Sequence, residues 1–342
     1  MVVDPPASEP VADAVEEPDE RALEPIVALA DRLHAGATSD VRPDDPWAEA
    51  GRKILRVHLA RMLARVPGVV AGEDAEEVHA MRVAARRMRA AWRVFGDGFE
   101  PDAARRYRRE LRDIGRRLGA VRDLDVLIEL VEAHREHRGG RQRAGLEPLI
   151  ASWRADRAAR RIDLLAAFAS ERFTTFTDDY ARLVESPGHA AIAMAPHAPG
   201  LVRYRMPATV WSAYQAIWAF EPEVATADLA TLHQLRIAAK WLRYTLEFVR
   251  DPMQPEAPRL IKAVVAIQDH LGVQHDRHVA ATLAATFART AALNEAQRRS
   301  IARLVTDLED GVEQGRRTFG SAWRPIASPA YRRGLGRAIA RL

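Results

Sequence analysis

The chain contains no cysteine. That excludes disulfides, zinc–thiolate and iron–sulfur centres, and cysteine nucleophiles. Lysine is nearly missing too, with three lysines beside 48 arginines. No run of 18 apolar residues occurs, and the opening stretch MVVDPPASEPVADAVEEPDE is acidic where a secretory leader would be basic and then apolar. Neither a signal peptide nor a membrane span is expected, and a cytoplasmic protein is. β-type alternation is scarce. GxxxxGK[ST], GxGxxG after a strand, HExxH and GxSxG are all absent, which removes the usual nucleotide, zincin and hydrolase signatures.

What is present is cationic and helical. The net charge of +4 hides a partition. Residues 1–46 hold twelve Asp/Glu and three Arg, a net of −9, so the remaining 296 residues carry +13. Guanidinium groups bind phosphate bidentately and are weakly hydrated, so an arginine excess favours phosphate recognition. A compositional bias is the competing reading of that excess. Residues 1–46 read as an acidic, largely disordered tail, with one short helix in EPIVALADRLHAG.

Beyond Pro46 the helical period recurs almost everywhere. Helices are expected over 47–66, 75–95, 102–118 and 123–137, then through a long region 142–185. After a linker at 186–206 they resume at 207–220, 227–249, 256–271, 277–291 and 294–319, with one more in the last thirty residues. Asp74 and Glu77 form a capping-box pattern. Gly119 and Gly272 stand where a left-handed residue would end a helix.

The chain also repeats itself. VHAMRVAARRMRAAWRVF (78–95) lies over LHQLRIAAKWLRYTLEFV (232–249) without a gap, at an offset of 154. LGAVRDLDV (118–126) lies over LGVQHDRHV (271–279) at an offset of 153. Two motif pairs in one order indicate a duplicated helical unit of about 140 residues, spanning roughly 47–185 and 207–341. Such a duplication folds as two bundles about a pseudo-twofold axis. The fold class is therefore all-α.

On a helix, positions i, i+3, i+7 and i+10 share a stripe. In the first copy that stripe is His79, Arg82, Arg86 and Arg89; in the second it is His233, Arg236, Lys240 and Arg243. The opposite stripe is apolar in both copies: Val78, Met81, Ala85, Met88 and Trp92, against Leu232, Leu235, Ala239, Leu242 and Leu246. Like charges three and four apart cost roughly 0.2–0.5 kcal/mol per pair. No acid on the same stripe offsets them, and a polyanion would reverse the sign. A solvated basic face is the ordinary explanation for one such helix, but random surface charge has no reason to agree position by position. The following helix adds RRYRRELRDIGRR (105–117), in which Arg109 aligns with Lys262. Arg112 and Arg116 meet Val265 and Asp269 and are weaker candidates.

His275-Asp276 could be half of a metal-dependent phosphohydrolase set, but its counterpart in the first copy is Arg122-Asp123, and arginine ligates no metal. No metal, other cofactor or catalytic residue is expected, and the shared aspartate reads as a helix cap or as an orienter of a neighbouring arginine.

The doubled H-x-x-R-[VI]-x-x-[RK]-x-[LM]-R pattern, each copy followed by L-G-x-x-[RH]-D, resembles the CHAD family (conserved histidine α-helical domain) over roughly residues 48–341. The resemblance implies two four-helix bundles related by a pseudo-twofold, and a basic surface or channel that binds inorganic polyphosphate. It also implies association with polyphosphate granules, with other granule proteins as further partners. It adds Arg122 and His275 to the binding residues. Where the family carries a CYTH triphosphatase domain with an ExExK strand, the leading 46 residues are too short and lack that motif, so triphosphatase activity is not implied. A non-enzymatic polyphosphate binder is the expectation, and nucleic acid stays open as the alternative partner. The stripes lack the aromatic residues on which single-stranded bases stack.

Overall fold

The structure, a computed structural model, describes residues 20–33, 36, 38–195 and 197–342. Residues 1–19, 34, 35 and 37 of the expected acidic tail lie outside them. Among the described residues there is no strand, only two isolated bridges, Pro46 with Leu201 and Phe99 with Ala191.

The first half of the chain contributes α1 (Glu20–Leu33), α2 (Trp47–Leu63), the short α3 (Val66–Ala71), α4 (Ala75–Phe95), α5 (Pro101–Glu136), α6 (Gly140–Phe168) and α7 (Glu171–Glu185). The second contributes α8 (Val202–Trp218), α9 (Leu229–Phe248), α10 (Ala257–Thr290), α11 (Glu295–Ala327) and α12 (Pro329–Ile339). α1 lies inside the segment expected to be mostly tail. Its Leu23, Leu29, Ala30 and Leu33 join the main core.

Both repeated helices bury the stripe that the sequence marks as apolar. Val78, Met81, Ala85, Met88 and Trp92 on α4 are buried, as are Leu232, Leu235, Ala239, Leu242 and Leu246 on α9. Trp92 anchors the first half: its indole N–H donates to the Tyr180 hydroxyl at 2.6 Å, and it stacks on Tyr107. α2, α4 and α5 pack together in the first half, and α8, α9 and α10 in the second; α4 meets α9 where the halves join. The far ends of α5, α6, α10 and α11 build a second, smaller core around Leu127, Val131, Leu149, Ile301 and Leu304. This outer bundle therefore draws two helices from each half.

Several local expectations are corrected. Gly119 and Gly272 end no helix: they lie inside α5 and α10, each of which joins two expected helices into one. A helix-interior glycine costs about 1 kcal/mol relative to alanine, and the buried apolar register on both sides outweighs that cost. The region 142–185 is instead divided at Ala169–Ser170, where the Ser170 hydroxyl accepts from the Phe173 N–H and starts α7. Asp74 does cap α4, but it accepts from the Glu76 N–H at 2.8 Å, and Glu77 turns to Arg65 at 3.0 Å instead of closing a capping box. α8 begins at Val202, ahead of the expected 207, and carries Pro207 inside it. The linker is tied down: Ile192 N–H donates to Gly98 O at 3.0 Å, and Trp47 N–H donates to Gly200 O at 2.8 Å.

Candidate anion-binding site

The junction of α4 and α9, with α5 and α10 alongside, brings the two repeated stripes together. Arg82 and Arg86 stand close enough to Arg236 and Lys240 to act on their ionisation. Lys240 is pushed down to about 8, by burial first, then by Arg236, Arg86 and Arg82, with Asp276 opposing. Arg236 is lowered for the same reasons, burial leading. The Nε atoms of Arg86 and Arg236 are buried without a hydrogen-bond partner. These are cations held against one another with their needs unmet, the condition that an external anion relieves.

The histidines lie at the end of each stripe, beside the basic residue of the Leu-Gly motif. His79 is lowered by burial, with Arg122, Arg86 and Arg82 adding to it and Glu76 opposing. In the second half the rings of His233 and His275 are 5.3 Å apart. His275 is pushed down to about 4, by burial and then by Arg236, His233, Lys240 and His278. It is neutral at pH 7 in the free protein.

Acids are nearer than the isolated stripes suggest. Asp123 holds Arg82 at 2.9 Å, which makes the shared aspartate an orienter of arginine; neither it nor Asp276 caps a helix, since α5 and α10 run through them. Asp276 is raised mainly by burial, and Asp123 from the other half adds to the shift while Arg236 and Lys240 oppose it. The two aspartates therefore share the centre with four cations. Arg122 pairs with Glu129 at 2.9 Å.

Glycines shape the floor. A Cβ on Gly119 would stand 3.7 Å from Arg82, and one on Gly115 would stand 3.6 Å from Arg89. One turn apart on α5, they leave a bare strip under the basic stripe of α4. Arg89 is exposed, has no ion-pair partner among the described residues, and is lowered by burial and then by Arg112. Its counterpart Arg243 differs. Its Nε donates to Glu247 at 2.7 Å, and its Nη1 donates to Gln268, which occupies the place of Gly115, at 3.0 Å.

The remaining candidates run outward. Arg109, Arg112 and Arg116 are exposed on α5; Arg109 stands 3.5 Å from Glu110, and Arg116 pairs with Asp113. Lys262 is 14 residues from Asp276 on α10, about 21 Å along the axis, and lines a separate cavity with Arg61 and Arg87. The structure does not bring it to the central cluster.

Sequence reasoning missed how the halves touch. Arg87 reaches Glu247 at 3.0 Å, and Arg93 lies over the Trp241 ring at 4.0 Å. In the repeat numbering 87 matches 241 and 93 matches 247, so the two contacts are one contact with the halves exchanged. The mismatches at these positions were the available signal.

Residues 53–285 match the family described as CHAD domain. The fold is similar to the crystal structure of the CHAD domain from the plant Ricinus communis, with a TM-score of 0.62 and 26% identity over 89% of this chain and 95% of that one. It is also similar in fold to PptA from Streptomyces chartreusis, with a TM-score of 0.60 and 20% identity over 82% of this chain and 100% of that one. No curated protein matches the sequence. No helix among the described residues is long and apolar enough to cross a membrane. With its doubled His/Arg motif and a family match over most of its length, the chain belongs to the CHAD family.

Proposed function

We propose that the protein binds inorganic polyphosphate at the junction of α4 and α9, without turning it over, and through it associates with polyphosphate granules in the cytoplasm. The observation that carries this reading is the convergence of Arg82, Arg86, Arg236 and Lys240 from two halves, where Arg236 and Lys240 are depressed and Arg86 and Arg236 each keep a buried Nε without a partner. A linear polyanion supplies repeated oxygen acceptors to such a row without needing a shaped pocket. The halves are read as related by a pseudo-twofold, supported by the exchanged pair of contacts, Arg87 with Glu247 and Trp241 with Arg93. Each half then grips successive phosphates. A chain long enough to reach both gains its second contact intramolecularly.

Affinity in this reading comes largely from counterion release and falls steeply with salt. Nucleic acid fits the site less well. Trp241 is covered by Arg93, and Tyr244 is buried with Arg86 5.9 Å from its ring centre, so neither is open to stack a base.

The test is a competition titration of labelled polyphosphate against DNA and RNA at equal phosphate concentration. Polyphosphate wins by at least tenfold, and Arg82→Glu combined with Arg236→Glu removes binding. Equal competition by nucleic acid, or intact binding in the double variant, overturns the reading.

A further inference from the structure

A cavity of about 350 Å³ opens between α2, α4, α9 and the start of α10. One wall is apolar, made by Val57, Phe248, Ile261 and Val265. Around it stand Arg61, Arg87, Arg250 and Lys262, with Glu247 and Asp251 as the acids. Glu247 is already committed, held by Arg87 at 3.0 Å and by Arg243 at 2.7 Å. Arg61 donates to the Gly36 carbonyl at 2.9 Å, which fixes its guanidinium at the rim. Among the described residues neither Arg250 nor Lys262 has an ion-pair partner, so positive charge is in excess.

Three residues lining this cavity carry an orphaned polar atom; one is Glu247, whose Oε2 stands 3.0 Å from Arg87 as an ion pair without a hydrogen bond, and the other two are nitrogens. His58 lines it, is only 7% exposed, and its Nδ1 has no hydrogen-bond partner. The Nε of Arg87 is buried and equally without one. Most buried polar atoms in folded proteins are satisfied, and two unpartnered nitrogens lining one cavity offer a ligand's acceptor atoms a place to bind. Burial, with Arg87 and Arg61 adding to it, pushes His58 down to about 3, so it is a neutral hydrogen-bonding group there.

We propose that this cavity is a second ligand site, separate from the polyphosphate row, that takes a small organic phosphate. The phosphate sits among Arg87, Arg61 and Lys262 with His58 Nδ1 on one oxygen, and the apolar or aromatic part lies against Phe248, Ile261 and Val265. The apolar wall is what selects an organic phosphate. A bare phosphate leaves that wall in water, whereas a ring covers it, and the gain scales with the area covered. The guanidinium groups select phosphate over a monoanion by offering several donors to one group.

The experiment is calorimetric titration of the full chain with phenyl phosphate, and with inorganic phosphate under identical conditions. Phenyl phosphate gives saturable one-site binding at least tenfold tighter than inorganic phosphate. Lys262→Glu, a change at an exposed position that leaves the core alone, weakens phenyl phosphate at least tenfold. Arg82→Glu with Arg236→Glu leaves it within twofold while removing polyphosphate binding. Absence of saturable binding, equal affinity for the two probes, or loss in the central double variant with none in Lys262→Glu overturns the proposal. None of these outcomes bears on whether polyphosphate binds the central row.

Discussion

The two halves were built from one pattern, and they differ in how firmly their cations are committed. In the first half the fourth stripe position, Arg89, is exposed above bare Gly115, with Arg112 as its charged neighbour. In the second the equivalent Arg243 is tied to Glu247 and Gln268. The first half continues into the exposed Arg109, Arg112 and Arg116; the second has Val265 and Asp269 opposite the last two. Arg122 is permanently charged, whereas its counterpart His275 is neutral at pH 7. The inner residues Arg82, Arg86, Arg236 and Lys240 stayed basic in both copies. What surrounds them diverged, leaving one open arm and one restrained, titratable arm.

The largest test of that asymmetry compares Arg89→Ala with Arg243→Ala. Charge-assisted hydrogen bonds contribute roughly 1.5–3 kcal/mol, so Arg89→Ala is expected to weaken polyphosphate binding about tenfold in a direct titration. Arg243→Ala is expected to change affinity less than about threefold, because its Nε and Nη1 are already engaged by Glu247 and Gln268, and to show in the melting temperature instead. Equal losses of affinity would erase the distinction between the arms.

A smaller effect comes from making the first arm resemble the second. Gly115→Gln with Arg93→Glu gives Arg89 the two partners that Arg243 has. Binding should weaken about threefold, with helicity by circular dichroism unchanged. The single Gly115→Ala has room, since its Cβ meets Arg89 only at van der Waals distance. It should stabilise the fold by up to about 1 kcal/mol and leave affinity alone.

The pH dependence should be smaller still and should come chiefly from the second half, with His79 as the first half's contributor to the acidic branch. Lys240 at about 8 and His275 at about 4 are both lowered by burial and by neighbouring cations. A bound polyanion favours their charged forms and raises both values, so binding takes up protons. Affinity therefore falls as pH rises through about 8 and increases as pH drops from 7 toward 5. Calorimetry in buffers of different ionisation enthalpy measures the uptake at pH 8, and His275→Arg should flatten the acidic branch. For the free protein the sign at Lys240 is opposite to the usual paired lysine. Its folded value is depressed, so the folded state is penalised below about 8, and stability rises from there toward the unfolded value. Polyphosphate should relieve that penalty, visible as a larger rise in melting temperature at pH 7 than at pH 10.

The stripes were legible because a helix of 3.6 residues per turn converts spacing directly into faces. Every residue assigned to the apolar stripe of α4 and α9 is buried, and the duplication separated the recurring cations from the drifting ones. The continuity of α5 and α10 was not legible, because Leu-Gly reads locally as a helix end and only packing on both sides carries a helix through it. Lys262 and its aligned partner Arg109 show the same limit: each lies 14 residues, about 21 Å of helix, from the central aspartate of its own half, and Lys262 lines another cavity.

By itself the sequence determined that the chain is helical, which faces α4 and α9 bury, and that the His/Arg stripe recurs, since these follow from local spacing and side-chain hydrophobicity. Tertiary structure decided which charges meet. Asp123 beside Arg82, the orphaned Nε of Arg86 and Arg236, and Glu247 between Arg87 and Arg243 depend on how α4 meets α9, α5 and α10. Electrostatic interaction falls with distance and strengthens with burial, and neither quantity exists until the helices are packed.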